Sequence, residues 1–305
     1  IIFHKLIELP SGVDINNLID DLRIFSWEAS DILLFYSRIL KDPNQKSKII
    51  KSKDNQDPVT IADLSVNELI IRRIKDKYID IDWEILSEEN SKQASFKFEN
   101  NSEWLWILDP LDGTKDFIQG TSNYAMHLAL NYKKKPCFGL VLIPERDELW
   151  ISYGNKVWCE KRGGSKSRKS IPKKNSIDQM TLVTSRNNRN EKLNELVNII
   201  NFKKVIHMGS VGCKIASLIR GESDIYISLS LPGQSSPKDW DFAAPAAILK
   251  AAGGAITNLD NEELIYNKPN FEHGGIIIAS NDKTNHHKIC SDIKNIIEKN
   301  RIYPF

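Results

Sequence analysis

The chain begins with two segments in which hydrophobic residues recur every three or four positions, the spacing of an amphipathic helix. The first runs from Asp14 to Leu40 and is predicted to end before Asp42-Pro43, because proline cannot continue a helix. The second runs from Ala62 to Tyr78. The lysine-rich stretch between them, 41–56, is interpreted as a mobile loop.

Short apolar runs bounded by turn-forming residues follow, and they predict β-strands. They cover Trp104–Leu108, Tyr124–Tyr132, Cys137–Ile143, Glu148–Tyr153 and Lys156–Cys159. Because their connections are short, we expect an antiparallel meander. The basic, glycine-rich segment 161–170 is interpreted as a hairpin tip or a linker.

Strand and helix patterns alternate in the rest of the chain, which predicts α/β layers. The predicted strands are Thr181–Thr184, Lys204–Met208, Asp224–Leu229 and Ile276–Ala279, and the predicted helices are Glu191–Ile200, Gly212–Arg220, Trp240–Ala252 and Lys283–Lys299. We therefore place a boundary near Lys174. Residues 1–174 are expected to form an N-terminal α+β domain, and residues 175–305 a C-terminal α/β domain.

Charge and composition narrow the class of protein. The 305 residues carry 42 Lys and Arg against 40 Asp and Glu, so no general attraction to nucleic acid is expected. No apolar run reaches the ~18 residues of a membrane span, and the segment IIFHKLIELPSG at the start lacks the apolar stretch of a signal peptide. Four scattered cysteines indicate reduced thiols. We expect a cytoplasmic protein that binds neither nucleic acid nor membranes.

One strand end holds the most informative polar residues. A strand pattern leads into Asp109, Pro110 is expected to force a turn, and Asp112 follows on the far side. Two carboxylates across one turn can converge on a divalent cation. The backbone N–H groups of Gly113 and Thr114, at a helix start, can bind a phosphate. In the alternative interpretation Asp112 only caps the helix, which leaves Asp109 without a role.

Three more acidic sites lie at element boundaries, and each alone is better explained structurally. Glu88 and Glu89 follow an apolar run and fit a solvated turn. Asp63 lies three residues after Thr60, the spacing of a capping box. Asp241 lies in the first turn of an alanine-rich helix, where it suits the helix dipole. Taken together, these oxygen ligands suit Mg²⁺ or Ca²⁺ rather than Zn²⁺.

Four segments occur in the order Asp57–Asp63, Ser87–Glu89, Asp109–Phe117 and Trp240–Ala244. Together they resemble the Mg²⁺-dependent, lithium-sensitive phosphatases of the inositol monophosphatase superfamily over nearly the whole chain. The version DPLDGTKDF is more similar to the 3'(2'),5'-bisphosphate nucleotidase branch than to the inositol branch. That branch usually has Glu at the position of Asp116.

The resemblance implies a layered α/β/α/β/α sandwich with the site between its two parts. It implies two or three Mg²⁺ ions, held by Glu88, Asp109, Asp112, Asp241 and the backbone carbonyl of Leu111. By the same resemblance, Thr114 and Asp63 orient and deprotonate the attacking water. The backbone N–H groups of Gly113 and Thr114 bind phosphate oxygens.

The implied reaction removes the 3'-phosphate of 3'-phosphoadenosine 5'-phosphate, in sulfur metabolism. Ser210, Lys214 and Asp241 match positions near the nucleotide. Ser228 stands where nucleotidases often carry Arg, and Lys238 is the candidate replacement. The alternatives are inositol monophosphatase or fructose-1,6-bisphosphatase activity by the same mechanism, or a non-catalytic protein that binds metal or nucleotide. A monomer or a homodimer is expected.

Overall fold

The computed structural model of the protein describes residues 8–41, 50–53, 57–93, 96, 98, 102–167, 176–187 and 190–303. The first part contains α1 (Ile15–Leu40), β1 (Ile50–Lys53), β2 (Asp57–Thr60), α2 (Ile61–Lys77), β3 (Glu84–Ser87), α3 (Glu88–Ser91), β4 (Trp104–Asp112), α4 (Thr114–Ile118), β5 (Ala125–Tyr132), β6 (Lys135–Ile143), β7 (Glu148–Tyr153), β8 (Lys156–Glu160) and β9 (Lys166–Ser167). The second contains β10 (Thr181–Ser185), α5 (Glu191–Ile200), β11 (Lys204–Met208), α6 (Val211–Arg220), β12 (Ile225–Ser230), α7 (Asp239–Ala251), β13 (Ala255–Asn258), β14 (Gly275–Ser280) and α8 (Lys283–Asn300).

Most of the first part's strands form a seven-stranded sheet of order β3-β4-β5-β6-β7-β8-β9. From β4 onward each strand pairs antiparallel with the next, for example through Ile107↔Ala129, which confirms the predicted meander. β3 lies parallel to β4 through Leu86↔Ile107 and was not predicted.

The second part forms a five-stranded sheet of order β11-β10-β12-β14-β13. β10 is parallel to both of its neighbours, whereas β14 is antiparallel to both of its own. β13 was not predicted, because its four residues, AITN, carry too short a pattern.

Both faces of the larger sheet are buried. Trp106 and Leu108 of β4 pack with α1 and α2, while Leu105 and Ile107, on the opposite face, pack in a second core. This second core also holds residues of α6, α7 and the smaller sheet, so the two helices lie between the sheets. A third core lies between the smaller sheet and α5 and α8. The layers are therefore α/β/α/β/α, as expected.

Two basic segments contain strands. β1 pairs antiparallel with β2, so the interpretation of 41–56 as a loop is wrong for residues 50–53, while 42–49 and 54–56 lie outside the described residues. β9 pairs with β8 through Cys159↔Ser167, so residues 161–165 form a hairpin tip, while 168–170 lie outside the described residues. The boundary near Lys174 also lies outside the described residues and stays a prediction.

The four cysteines are buried and none forms a disulfide. Burial raises the pKa of the Cys137, Cys159 and Cys213 thiols to about 12, which keeps them protonated and unreactive at neutral pH. Across the described ranges, no helix has both the length and the hydrophobicity that a membrane crossing requires.

His286 ties α8 to the smaller sheet. Its ring nitrogens lie 2.7 Å from Ser280 Oγ and 2.8 Å from Thr257 Oγ1. Burial lowers the pKa of His286 from 6.5 to about 4, so the ring is neutral in the folded protein at neutral pH.

Acid should therefore destabilise the protein through His286. Because the pKa is lower in the folded state, the stabilisation is complete above about pH 6.5 and is lost as the pH falls towards about 4. Between pH 7 and pH 4 the wild type should lose ~3 kcal/mol more unfolding free energy than His286→Gln. Urea unfolding at pH 7, 5.5 and 4 measures this difference. Equal losses in the two proteins would contradict the prediction.

Candidate active site

The end of β4 bends at a β-bulge that Pro110 explains. Proline has no backbone N–H, and the pairing with β5 skips from Asp109↔His127 to Asp112↔Ala125. The strand continues to Asp112, so the predicted turn at Pro110 is wrong. The two carboxylates nevertheless converge as expected, because an oxygen of Asp109 and an oxygen of Asp112 lie within 4.8 Å of each other.

Gly113 leads from β4 into α4. Its φ of 86° lies in the left-handed region, and a Cβ there would be 2.9 Å from both the Asn123 carbonyl oxygen and the Ser210 nitrogen. Gly113 is the N-cap residue, so the alternative in which Asp112 caps this helix is wrong. Asp112 Oδ2 instead accepts a hydrogen bond from the Val211 N–H at 2.5 Å.

Five carboxylates that were predicted to belong to the site interact electrostatically around Asp109. Burial, and then neighbouring negative charges, raise the pKa of Asp109 well above its ordinary value. Those charges belong to Glu88, Asp112, Asp241 and Asp63, in order of decreasing effect. We call these five residues the acidic cluster. Its members come from α2, α3, β4 and α7, so the fold gathers residues that are far apart in the sequence.

Asp241 belongs both to the acidic cluster and to the cap of α7. Its Oδ2 accepts a hydrogen bond from the N–H of Lys238, the N-cap residue, at 2.6 Å. Burial and the charge of Asp112 raise the pKa of Asp241, and the Lys238 N–H partly opposes them. A carboxylate has two oxygens, so the two roles are compatible.

Glu88 lies at the start of α3, and a hydrogen bond between its neighbour Ser87 and α2 holds it in place. Ser87 Oγ donates to Asn67 Oδ1 at 2.7 Å and accepts from the Asn90 N–H at 3.1 Å. Asn67 lies one helical turn after Asp63, so this contact fixes two members of the cluster relative to each other. Lys92 Nζ lies 2.8 Å from Glu88 Oε1 and borders the same site.

His127, in β5, adjoins the cluster and was missed by the sequence analysis. Its Nε2 lies 3.3 Å from Asp112 Oδ2 and accepts a hydrogen bond from the Gly212 N–H at 3.1 Å, while its Nδ1 lies 3.2 Å from the Trp240 carbonyl oxygen. Burial lowers the pKa of His127, which favours a neutral ring with its proton on Nδ1. With Nε2 occupied in this way, the ring has no proton to donate to Asp112, whose Oδ2 is held by the Val211 N–H instead.

The chemistry of the acidic cluster fits a hard divalent cation. Its carboxylates, together with the Leu111 carbonyl, are the oxygen ligands that Mg²⁺ prefers. A cation among them would also remove the repulsion that raises the pKa values of Asp109 and Asp241. The residues present therefore fit Mg²⁺.

Of the two residues predicted to transfer the proton, Asp63 belongs to the acidic cluster and Thr114 follows Asp112 closely in the sequence. Thr114 is the first residue of α4, and its Oγ1 donates to the Leu111 carbonyl oxygen at 3.0 Å. Asp63 lies in the first turn of α2, is buried, and contributes to the raised pKa of Asp109.

A cavity of about 900 Å³ borders the cluster. The predicted site residues that line it are Glu88, Asp109, Leu111, Asp112, Gly113, Thr114, Lys214, Lys238 and Asp241. Asp63 and Ser210 are buried behind this lining. The remaining wall includes the ends of β10 and β12 and residues 269–271.

Lys214 borders the cavity although its side chain is almost entirely buried. Its ammonium donates to the Gly209 carbonyl oxygen and, at 3.3 Å, to Ser185 Oγ, and it lies 5.3 Å from the centre of the Tyr226 ring. Burial lowers the pKa of Lys214, and the negative charge of Asp112 opposes this shift.

The other residues predicted to contact substrate have structural partners. Lys238 Nζ lies 2.6 Å from Glu272 Oε1. Ser210 caps α6, where its Oγ accepts a hydrogen bond from the Cys213 N–H at 3.2 Å. Ser228, at the position of the expected Arg, lines the cavity.

A guanidinium that the sequence analysis missed lines the cavity near Ser228. Arg186 directly follows β10, which is parallel to β12 with Val183 opposite Tyr226. Continued along the strands, this register places Arg186 one residue past the position opposite Ser228. Its Nε lies 3.1 Å from Asp116 Oδ1.

The layered fold and the acidic cluster beside a cavity define a phosphatase of the inositol monophosphatase type. The chain belongs to the inositol monophosphatase family, whose sequence model matches residues 25–298. Members of this family generally use Mg²⁺.

Curated relatives and solved structures resemble the chain over most of its length. It is 29% identical over 225 residues to the 3'(2'),5'-bisphosphate nucleotidase CysQ of Buchnera aphidicola, covering 73% of this chain and 79% of the relative. It is 28% identical over 285 residues to 3'(2'),5'-bisphosphate nucleotidase 1 of Dictyostelium discoideum, covering 81% and 88%. The fold of SaIMPase-II from Staphylococcus aureus, solved with 2'AMP bound, matches with a TM-score of 0.68 at 20% identity, over 93% of this chain and 96% of that chain.

Proposed function

We propose that the protein is a Mg²⁺-dependent phosphomonoesterase that removes the 3'-phosphate from 3'-phosphoadenosine 5'-phosphate. The observation that carries this proposal is a cavity lined both by four carboxylates of the acidic cluster and by two cationic residues, Lys214 and Arg186. One phosphate can lie at the cluster while a second anionic group meets these cations. The names of the Buchnera and Dictyostelium relatives support the choice of substrate.

We assign Glu88, Asp109, Asp112, Asp241 and the Leu111 carbonyl to holding Mg²⁺. When bound, the metal supplies charge neutralisation and a lower pKa for the attacking water. Thr114 and Asp63 orient that water, and Thr114 relays its proton to the Asp63 carboxylate. The backbone N–H groups of Gly113 and Thr114 hold phosphate oxygens, and Lys214 binds the distal phosphate.

Two features favour a singly phosphorylated sugar or inositol as the second candidate substrate. Ser228 supplies no positive charge, and the charge of Lys238 is shared with Glu272. A non-catalytic role is disfavoured, because every position assigned to metal binding or water activation carries a competent side chain.

Phosphate release should be measured side by side from 3'-phosphoadenosine 5'-phosphate, inositol 1-phosphate and fructose 1,6-bisphosphate, with and without Mg²⁺ and Li⁺. We expect the nucleotide to be preferred, release to require Mg²⁺, and Li⁺ to inhibit it. Preference for inositol 1-phosphate or fructose 1,6-bisphosphate would be consistent with the proposed mechanism but would contradict the proposed substrate. Release from none of them would overturn the proposed activity.

Lys214→Met should weaken binding of the distal phosphate. Hydrogen bonds to charged groups contribute roughly 1.5–3 kcal/mol, so the ratio of kcat/KM for 3'-phosphoadenosine 5'-phosphate to that for adenosine 3'-monophosphate should fall at least about tenfold. Lys204→Met, an exposed lysine of β11, is the matched control. An equal loss with both substrates would show that Lys214 acts on the acidic cluster rather than on the distal phosphate.

A further inference from the structure

Residues 266–274, between β13 and β14, form a segment that we call the wall segment. Pro269, Asn270 and Phe271 of this segment line the cavity on the side formed by the second part of the chain. The segment has no helix or ladder of its own, apart from the single bridge Lys238↔Glu272. It is therefore held against the cavity by this bridge together with individual hydrogen bonds and side-chain contacts.

The first residue of α7 anchors the wall segment at both ends. Asp239 Oδ1 lies 2.7 Å from His273 Nε2, and Asp239 Oδ2 accepts a hydrogen bond from the Asn267 N–H at 2.7 Å. Both Asp239 and His273 are buried. The His273 N–H also donates to the Pro237 carbonyl oxygen at 2.8 Å, so the segment is fixed next to Asp241 of the acidic cluster.

Within this fixed segment, Phe271 adopts a backbone conformation that a bulky residue avoids. Its φ is 59°, in the left-handed region, which costs a residue with a Cβ roughly 1–2 kcal/mol. Asn267 has the same φ, but asparagine tolerates this region. Glycine or asparagine at position 271 would relieve the strain but would remove a phenyl ring that packs against the core between the sheets.

The ring of Phe271 packs beside two other aromatic side chains. Its centre is 5.9 Å from that of Trp240 and 5.6 Å from that of Phe98. Of the described residues that line the cavity, Tyr226, Trp240 and Phe271 are aromatic, and the first two are buried. Phe271 lines the cavity as well and is only partly buried.

We propose that Phe271 is a specificity-determining residue whose ring stacks on the base of a nucleotide while the scissile phosphate lies at the acidic cluster. This inference rests on the proposed function and names the part of the substrate that the chain selects. A purine has a flat π-face that can stack on a phenyl ring, whereas inositol has none. Ser235, Ser236, Gln234 and Asn270 line the same cavity and can hydrogen-bond the edge of the base.

The test compares Phe271→Ala, Phe271→Tyr and wild type on 3'-phosphoadenosine 5'-phosphate and inositol 1-phosphate. Stacking on one aromatic ring contributes roughly 1–3 kcal/mol. In Phe271→Ala we therefore expect KM for the nucleotide to rise about tenfold, with kcat changed by less than about threefold. The ratio of kcat/KM for the nucleotide to that for inositol 1-phosphate should fall accordingly, and Phe271→Tyr should restore it. Phe35→Ala, which removes an exposed ring of α1, is the matched control.

Calorimetric titration of the Mg²⁺-loaded protein with adenosine 5'-monophosphate tests the same contact without turnover. We expect about tenfold weaker binding to Phe271→Gly, a variant that also removes the backbone strain and should therefore stay folded. If wild type uses the nucleotide and the Phe271 variants match it, this inference fails and the proposed function stands. If wild type neither hydrolyses 3'-phosphoadenosine 5'-phosphate nor binds adenosine 5'-monophosphate, both fail.

Discussion

Replacing Asp109 by Asn should lower the rate of Mg²⁺-supported phosphate release by about 10³-fold. Asp109 is buried among four other carboxylates and is assigned as a metal ligand. A bound cation contributes several kcal/mol to stabilisation of the transition state, and each 1.36 kcal/mol is a factor of ten in rate. Steady-state release from 3'-phosphoadenosine 5'-phosphate measures the loss. Asp80→Asn makes the same chemical change at an exposed position and should keep the wild-type rate.

The same substitution should stabilise the metal-free protein. Burial and like charges raise the pKa of Asp109, so its ionised form destabilises the fold, and an amide of the same size removes that repulsion. A gain of ~1 kcal/mol would raise the metal-free Tm by roughly 1–2 °C. Added Mg²⁺ should then raise Tm less than it does in wild type, because binding is weakened. A lower metal-free Tm combined with an undiminished response to Mg²⁺ would place Asp109 outside the metal site.

The layered fold was predictable because hydrophobic periodicity reports which face of an element is buried. The bounds of α1 and β7 agree with their predicted ranges to within a residue or so. The same signal could not find the wall segment, which is held by the contacts of Asp239 with His273 and Asn267 rather than by a repeating pattern.

Pro110 shows why a turn predicted from neighbouring residues alone can be absent from the structure. Proline favours a turn when only its own segment is considered. Here β4 is already paired on both sides, through Leu108↔Ser87 and Asp109↔His127. The strand therefore continues past the proline, and a bulge forms where its N–H is missing. The resulting approach of Asp109 and Asp112 was predicted, although its geometry was not.

The acidic cluster could be assembled from sequence because its members lie in segments with a recognisable residue order. His127 and Arg186 lie in segments without such an order. Their places depend on strand pairing and on partners such as Gly212 and Asp116, which are distant in the sequence. One sequence does not specify these pairings, so the carboxylates were found and His127 and Arg186 were not.

Asp63→Asn and Thr114→Ala should each reduce turnover by about 10²–10⁴-fold while leaving Mg²⁺ binding largely intact. General base catalysis by a positioned group contributes this much to a rate, and neither side chain is among the assigned metal ligands. The amide in Asp63→Asn would keep the size of the buried side chain but could not accept the proton. Initial rates at saturating substrate measure the loss, and the rise of Tm with added Mg²⁺ measures metal binding.

The contrast with Asp109→Asn makes the assignment of roles testable. All three variants should be slow, but only Asp109→Asn should lose the rise of Tm with Mg²⁺. Asp76→Asn, an exposed carboxylate on the same helix as Asp63, controls for the loss of one charge from α2. Hydrolysis near the wild-type rate in both Asp63→Asn and Thr114→Ala would mean that water is activated without them. In that case the bound metal alone would have to lower the pKa of the attacking water enough for reaction.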